Sequence, residues 1–171
     1  LYAKEPSAEA AYSLGRLFMK KEQYQKSKEY YLEAIEASDD DEKKAQYLYA
    51  LAGLEQQYLN SPVQAVKYAS RSAELDPDWG DPLILMGIAY IAGNSTFGDE
   101  FERRTSYWVA VDMFQKAKNV DPSVAQKANS LINEYSQYFP TKEDLFFHSI
   151  AEGDRYTVGG WINRTTQARP K

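Results

Sequence analysis

Apolar residues recur at intervals of three and four through most of the chain, the spacing that places them on one face of an α-helix. Three pairs, Ser61-Pro62, Asp81-Pro82 and Asp121-Pro122, interrupt this pattern. Each is typical of a helix N-cap followed by proline at the first helical position. Together these signals predict seven helices, at about 8–20, 22–37, 41–59, 62–75, 82–93, 100–119 and 122–138.

Small and large residues recur at similar spacings within these helices. A glycine lies inside the first, third and fifth helices, at Gly15, Gly53 and Gly87, and the last two glycines are 34 residues apart. A glycine lets two helices approach closely, and small residues on the next helix let it pack against its neighbours. The sets that follow the glycines are Ser27-Tyr31-Ala34, Ala65-Ala69-Ser72 and Ala110-Phe114-Ala117, the second of which lacks the large residue.

This pattern resembles the tetratricopeptide repeat, a helix–turn–helix unit of 34 residues. The resemblance covers residues 8 to 138 and implies an all-α fold, a right-handed superhelix of antiparallel helix pairs. The tryptophan that is usual near the start of the first helix is absent from every repeat. The predicted divisions are an array over 1–138 that ends in a capping helix, repeats at about 8–41, 46–79 and 80–122, an insertion at about 94–107, and a tail over 139–171.

In this family the first helix of each pair lines a concave groove that binds a partner protein. The resemblance implies a partner-binding groove formed by Tyr12, Arg16, Met19, Tyr47, Leu54, Tyr58, Asp81, Ile84, Ile88, Asn129 and Asn133. Members that hold a peptide carboxylate use lysine and asparagine at set positions, which here are Tyr12, Arg16, Leu51, Asp81 and Leu85. The carboxylate clamp is therefore absent. The apolar stripe in the groove is also typical of a covered core.

Residues 139–171 do not follow the repeat. The stretch from Thr141 to Asp144 has the form of a capping box and predicts a short helix over 145–152 that stops at Gly153. Gly159-Gly160 lies between β-branched and aromatic residues, which predicts a strand or a hairpin that turns at these glycines. An isolated hairpin is marginal in water, so we expect the tail to pack on the array, in the apolar end of the groove or against the last helix.

A second resemblance concerns residues 80 to 166. The segment "RRTSYWVAVDMFQKAKNVDPSVAQKANSLI", with "YFPTKEDLFF" and "GDRYTVGGWI" after it, is similar to the C-terminal region of secreted tetratricopeptide proteins from Bacteroidetes-type bacteria. It implies a periplasmic or cell-envelope location, with the cytoplasm as the alternative, and a longer parent chain. The stretch from Leu1 to Pro6 is typical of the end of a preceding helix, so we expect more repeats upstream.

Composition and charge argue against several classes of function. The net charge of −5 argues against a nucleic-acid partner, which needs a basic stripe to neutralise phosphates. No stretch reaches the roughly 20 apolar residues of a membrane-spanning helix. The chain has no cysteine, and its one histidine, His148, has no second imidazole to complete a common catalytic or metal site. The sequence therefore predicts no enzyme activity, no cofactor and no metal.

Two hypotheses about function remain open. The leading one is a non-enzymatic scaffold that binds a peptide or segment of a partner protein in the groove. The alternative is a structural or self-assembly module whose groove is filled by its own C-terminal tail or by neighbouring domains. Self-assembly would make the protein a homo-oligomer.

Overall fold

The computed structural model describes residues 7–171, so the helix end expected over residues 1–6 lies outside the described residues. Within the described chain there are eight α-helices and one antiparallel pair of strands, which confirms the mostly helical fold with a short β segment near its C-terminal end. The elements are α1 (Ala8–Lys20), α2 (Tyr24–Ala37), α3 (Asp41–Gln57), α4 (Pro62–Leu75), α5 (Asp81–Ala92), α6 (Glu100–Val120), α7 (Ala125–Tyr135), α8 (Lys142–Phe147), β1 (Arg155–Val158) and β2 (Arg164–Gln167). No helix in this part of the chain combines the length and the apolar composition needed to cross a bilayer.

Side-chain caps explain where several helices begin. The first turn of a helix leaves backbone N–H groups without helical partners, and short polar side chains accept them. Ser7 accepts a hydrogen bond from the third residue of α1 at 3.2 Å. Asp40 does the same for Lys43 of α3 at 3.1 Å, and Asp99 for Glu102 of α6 at 2.7 Å.

The three residue pairs with proline do not all act as predicted. Ser61 precedes α4 but makes no capping hydrogen bond through its side chain. Asp81 is the first residue of α5, and the N-cap position is held by Gly80. Asp121 accepts from Ser123 at 3.0 Å and begins a 3-10 turn over Pro122–Val124, so α7 starts later than predicted.

Among the described residues, 7–78 form one compact unit, which we call the N-terminal unit. Its helices pack as the pairs α1/α2 and α3/α4, with α2 also packed on α3. A buried serine joins each pair: Ser27 donates to the Gly15 carbonyl at 2.8 Å, and Ser72 donates to the Ala45 carbonyl at 2.8 Å. In both pairs a buried serine of the second helix thus bonds to the backbone of the first helix, although Ser27 is the first member of its small–large–small set and Ser72 the last of its own.

Residues Trp79 to Lys171 form the second compact unit, which we call the C-terminal unit. Here α5 pairs with α6, and α7 packs on α6. A methyl group at Gly87 would overlap the Phe114 ring and would come within 2.9 Å of the Ala110 carbonyl oxygen. Because a backbone oxygen cannot move aside easily, the close approach of α5 and α6 requires glycine at this position.

The C-terminal tail packs on α6 through both strands of its hairpin. Val158 of β1 is buried, and Thr166 of β2 donates to the Asp112 carboxylate of α6 at 2.5 Å. The loop of the hairpin spans residues 159–163, longer than a turn at the glycine pair alone, and it includes Trp161. Its indole N–H donates to the Gly93 carbonyl at 3.3 Å, and its ring lies 5.6 Å from that of Tyr90. The tail thus covers α6 and the C-terminal end of α5.

The short helix before the hairpin also differs from its predicted bounds. The predicted capping box is present: Thr141 and Asp144 exchange hydrogen bonds of 3.0 and 2.7 Å. These bonds start α8 at Lys142, and the bond from the Thr141 N–H holds the pKa of Asp144 below its ordinary value. The helix ends at Phe147, before Ser149, whose positive φ of 55° is incompatible with a continuing helix.

Candidate protein-interaction surface

A stack of tyrosines joins three helices of the N-terminal unit. The ring of Tyr12 on α1 lies 4.6 Å from that of Tyr47 on α3 and 5.5 Å from that of Tyr31 on α2. Tyr31 and Tyr47 are buried, and their removal from water raises the pKa of both phenols. Tyr12 is only half-buried, so part of this stack is accessible from outside the unit.

Charged side chains flank the stack. Arg16 lies one helical turn after Tyr12, is exposed, and has its guanidinium carbon 6.0 Å from the centre of the Tyr12 ring. This distance is within reach of a cation–π interaction. One turn before Tyr12, Glu9 pairs with Lys43 of α3 at 2.5 Å, and this hydrogen bond lowers the pKa of Glu9 and raises that of Lys43. The surface formed by α1 and α3 therefore carries both charged and aromatic side chains.

A second aromatic pair lies after the end of α3. The ring of Tyr58 stacks on that of Tyr24 of α2, with 4.7 Å between the ring centres. Tyr58 is 47% exposed, which is a large fraction for an aromatic side chain. Its hydrophobic face is thus available to another molecule.

The other predicted groove residues differ in how far their side chains are buried. Tyr47, Leu54 and Ile84 are buried and belong to the packed interior. Met19, Asp81 and Ile88 are half-buried. The exposed members of the predicted set are Arg16, Tyr58, Asn129 and Asn133.

Two polar groove residues of the C-terminal unit already have partners. Asp81 accepts from the indole of Trp79 at 3.3 Å and pairs with Lys127 at 3.2 Å. Asn129 accepts from Lys118 at 2.8 Å. A ligand that used either side chain would have to replace these bonds.

Comparison with known proteins identifies one part of the chain. The family model described as tetratricopeptide repeat matches residues 8–41. The chain contains a tetratricopeptide repeat. These residues hold α1 and α2 and are those predicted as the first repeat. Tetratricopeptide repeats generally mediate protein–protein interactions and are typically non-enzymatic scaffolds.

No curated protein matches the chain. The resemblance of residues 80–166 to secreted tetratricopeptide proteins of Bacteroidetes-type bacteria is not supported by these comparisons. The periplasmic or cell-envelope location that it implied stays a prediction.

The tertiary structure places two features that the sequence patterns did not indicate. Glu55 of α3 is buried, and its carboxylate lies 2.7 Å from the Lys28 ammonium of the tetratricopeptide repeat. In the C-terminal unit, Phe146 and Phe147 are 76% and 71% exposed. Sequence spacing gives no signal for the pair of Lys28 and Glu55 because the partners lie far apart in the chain.

His148 has structural contacts. Its Nδ1 lies 2.8 Å from the Asp144 carbonyl oxygen, and its ring stacks on Phe101 with 3.6 Å between centres. Over residues 7–171, no group of three or more histidine, cysteine, aspartate or glutamate side chains could hold a metal ion.

Proposed function

We propose that the protein is a scaffold whose N-terminal unit binds an extended segment of a partner protein on the face shared by α1 and α3. The observation that carries this proposal is the stack of Tyr12 on Tyr47 with the exposed Arg16 beside it. The stack fixes the orientation of Tyr12, so little side-chain freedom is lost when a partner covers it. Tyrosine and arginine are also the residue types that most often dominate binding energy at protein interfaces.

The charge of this face favours a partner segment with acidic groups. Tyr12, Arg16 and Lys20 are spaced by four residues and so lie along one face of α1. The two basic side chains are exposed and make no ion pair within the described chain. An apolar side chain of the partner would pack on the half-buried tyrosine, and a carboxylate next to it would pair with Arg16.

Charge reversal at Arg16 tests this proposal. Arg16→Glu is expected to reduce recovery of specific partners roughly tenfold or more, because it places a like charge against the acidic segment. Affinity capture with cross-linking, followed by quantitative mass spectrometry, measures the recovery. Tyr58→Ala is the second test variant, and Tyr47 is left intact because its burial would confound binding with unfolding.

The matched control is Arg71→Glu, which makes the same charge change at an exposed residue of α4 in the same unit. Partners that bind the α1/α3 face should be lost from the Arg16 variant and kept by the control. Equal recovery by both variants would refute the proposed face.

A second candidate function is self-assembly, which the exposed Phe146 and Phe147 favour. Two adjacent aromatic side chains at the surface would lose contact with water if copies of the chain associated through them. Sedimentation velocity over a wide concentration series should then show dimers that disappear in a Phe146→Ser/Phe147→Ser variant. A wild-type protein that stays monomeric at the highest concentration rules this function out.

A further inference from the structure

A cleft of about 480 Å³ lies within the C-terminal unit. Its walls come from the N-terminal part of α6, from the 3-10 turn Ser136–Tyr138 after α7, and from Lys171. The Lys171 backbone N–H donates to the Pro140 carbonyl at 3.1 Å, which holds this residue at the cleft. The volume is in the range of pockets that bind small organic molecules.

The side chains that line the cleft carry an excess of positive charge. Arg103, Arg104 and Lys171 are basic, and Glu100 is the one acidic residue among the lining side chains. Arg104 is already neutralised, because it pairs with Glu100 at 2.5 Å and lies 3.4 Å from an oxygen of Asp144. Within residues 7–171, neither Arg103 nor Lys171 has a carboxylate partner. Two cations without a side-chain carboxylate partner thus share one cleft in a protein of net charge −5.

An aromatic wall lies beside these cations. The rings of Tyr107 on α6 and Tyr138 stack with 5.2 Å between their centres and an interplanar angle of 23°. Tyr138 is 52% exposed, so one side of the stack is accessible. A planar or apolar group can lie on this ring while an attached anion reaches Arg103.

We propose that this cleft binds a small organic anion, that is, a carboxylate or phosphate group on a planar or apolar body. Arg103 and Lys171 pair with the anionic oxygens, and Tyr138 packs against the body. The anion is either a free molecule or an acidic side chain on a peptide, since both present the same chemistry. The site belongs to the C-terminal unit and does not depend on the partner face proposed for the N-terminal unit.

Titration of the full chain with phenyl phosphate, followed by amide NMR shifts at constant ionic strength, tests the site. Shifts are expected at the residues of the cleft, and phenyl phosphate should bind more tightly than inorganic phosphate because only the former has a ring to pack on Tyr138. Arg103→Gln is expected to weaken phenyl phosphate binding roughly tenfold to a hundredfold, the range for loss of a charged hydrogen bond. Tyr138→Ala should make the two phosphates bind equally.

The control is Lys116→Gln, which removes one positive charge from an exposed position on the same helix. It should bind phenyl phosphate as the wild type does. Equal weakening by the Arg103 and Lys116 variants, or no shift at the cleft with any probe, would overturn the proposal. The NMR spectra of the variants also show directly that they are folded.

A blocked glutamyl-tyrosine dipeptide distinguishes the two sources of the anion. Tighter binding of the dipeptide than of phenyl phosphate, with loss in the Arg103 variant, assigns the cleft to an acidic peptide. The reverse order, with the same loss, assigns it to a free organic anion.

Discussion

Replacement of Trp108 by alanine is expected to lower the free energy of unfolding by about 3–5 kcal/mol. Trp108 of α6 is fully buried, and its ring contacts those of Phe101, Phe139 and Tyr156 edge-on. Its indole N–H also donates to the Arg169 carbonyl at 2.7 Å. The substitution removes these contacts together and leaves a cavity between α6 and the tail. Denaturant unfolding followed by circular dichroism measures the loss.

Trp108→Phe is the matched control for this cavity. Phenylalanine keeps most of the aromatic packing but leaves the Arg169 carbonyl without its indole donor. We expect a smaller loss of about 1–3 kcal/mol, the usual range for a buried polar group without a partner. A loss below about 1 kcal/mol for the alanine variant would show that the tail does not depend on Trp108 for its attachment.

Replacement of Lys28 by methionine is expected to lower the free energy of unfolding by about 3 kcal/mol. The side chain of Glu55 is only 2% exposed, and the Lys28 ammonium at 2.7 Å is its neutralising partner. Glu55 Oε1, the oxygen at this contact, has no other polar partner among the described residues. Without Lys28, a buried carboxylate would remain uncompensated. Thermal and denaturant unfolding at neutral pH measure the effect.

The exposed pair between Lys43 and Glu9 is the control for Lys28. Its two charges lie 2.5 Å apart, but the side chains are 47% and 58% exposed. Lys43→Met should therefore lower the free energy of unfolding much less than Lys28→Met does, because solvent screens an exposed pair. Equal losses in the two variants would mean that burial of Glu55 adds nothing to the role of Lys28.

The pH dependence of the Lys28 contribution follows from the direction of its pKa shift. The contact with Glu55 raises the pKa of Lys28 above that of an unfolded lysine. The folded state thus binds the Lys28 proton more tightly, so this stabilisation is complete below the ordinary lysine pKa and is lost as pH rises through the raised pKa. The difference between wild type and Lys28→Met should then persist at neutral pH and shrink as the pH rises into strong alkali.

Local patterns predicted the helices well where a side-chain cap or a proline marks the first turn. The bounds of α1 and α4 agree with their predicted ranges, and the capping box before α8 is present. The predicted bounds differ from the observed ones where contacts with neighbouring elements decide where a helix starts or stops. The predicted helix over 122–138 is α7 with a 3-10 turn at each end, and the predicted helix over 145–152 starts and stops earlier.

The candidate surface was only partly predictable, because helix position does not settle burial. Tyr12, Tyr47 and Leu54 were all predicted to line the groove, yet Tyr47 and Leu54 are buried and Tyr12 is half-buried. Tyr47 is covered by the Tyr12 ring of another helix. Such coverage depends on contacts between residues 35 positions apart, for which periodicity carries no information.

The sequence by itself determined where several helices start and which glycines and small residues allow close packing, because a cap acts within one helical turn and a repeated pattern is visible along the chain. Only the tertiary structure decided which of those residues face outward and where the tail lies. It brought Trp108 to Arg169 and Lys28 to Glu55, pairs separated by 61 and 27 positions. Contacts at this separation form because the packed helices exclude water from both partners together, and a stretch of sequence shows only one partner at a time.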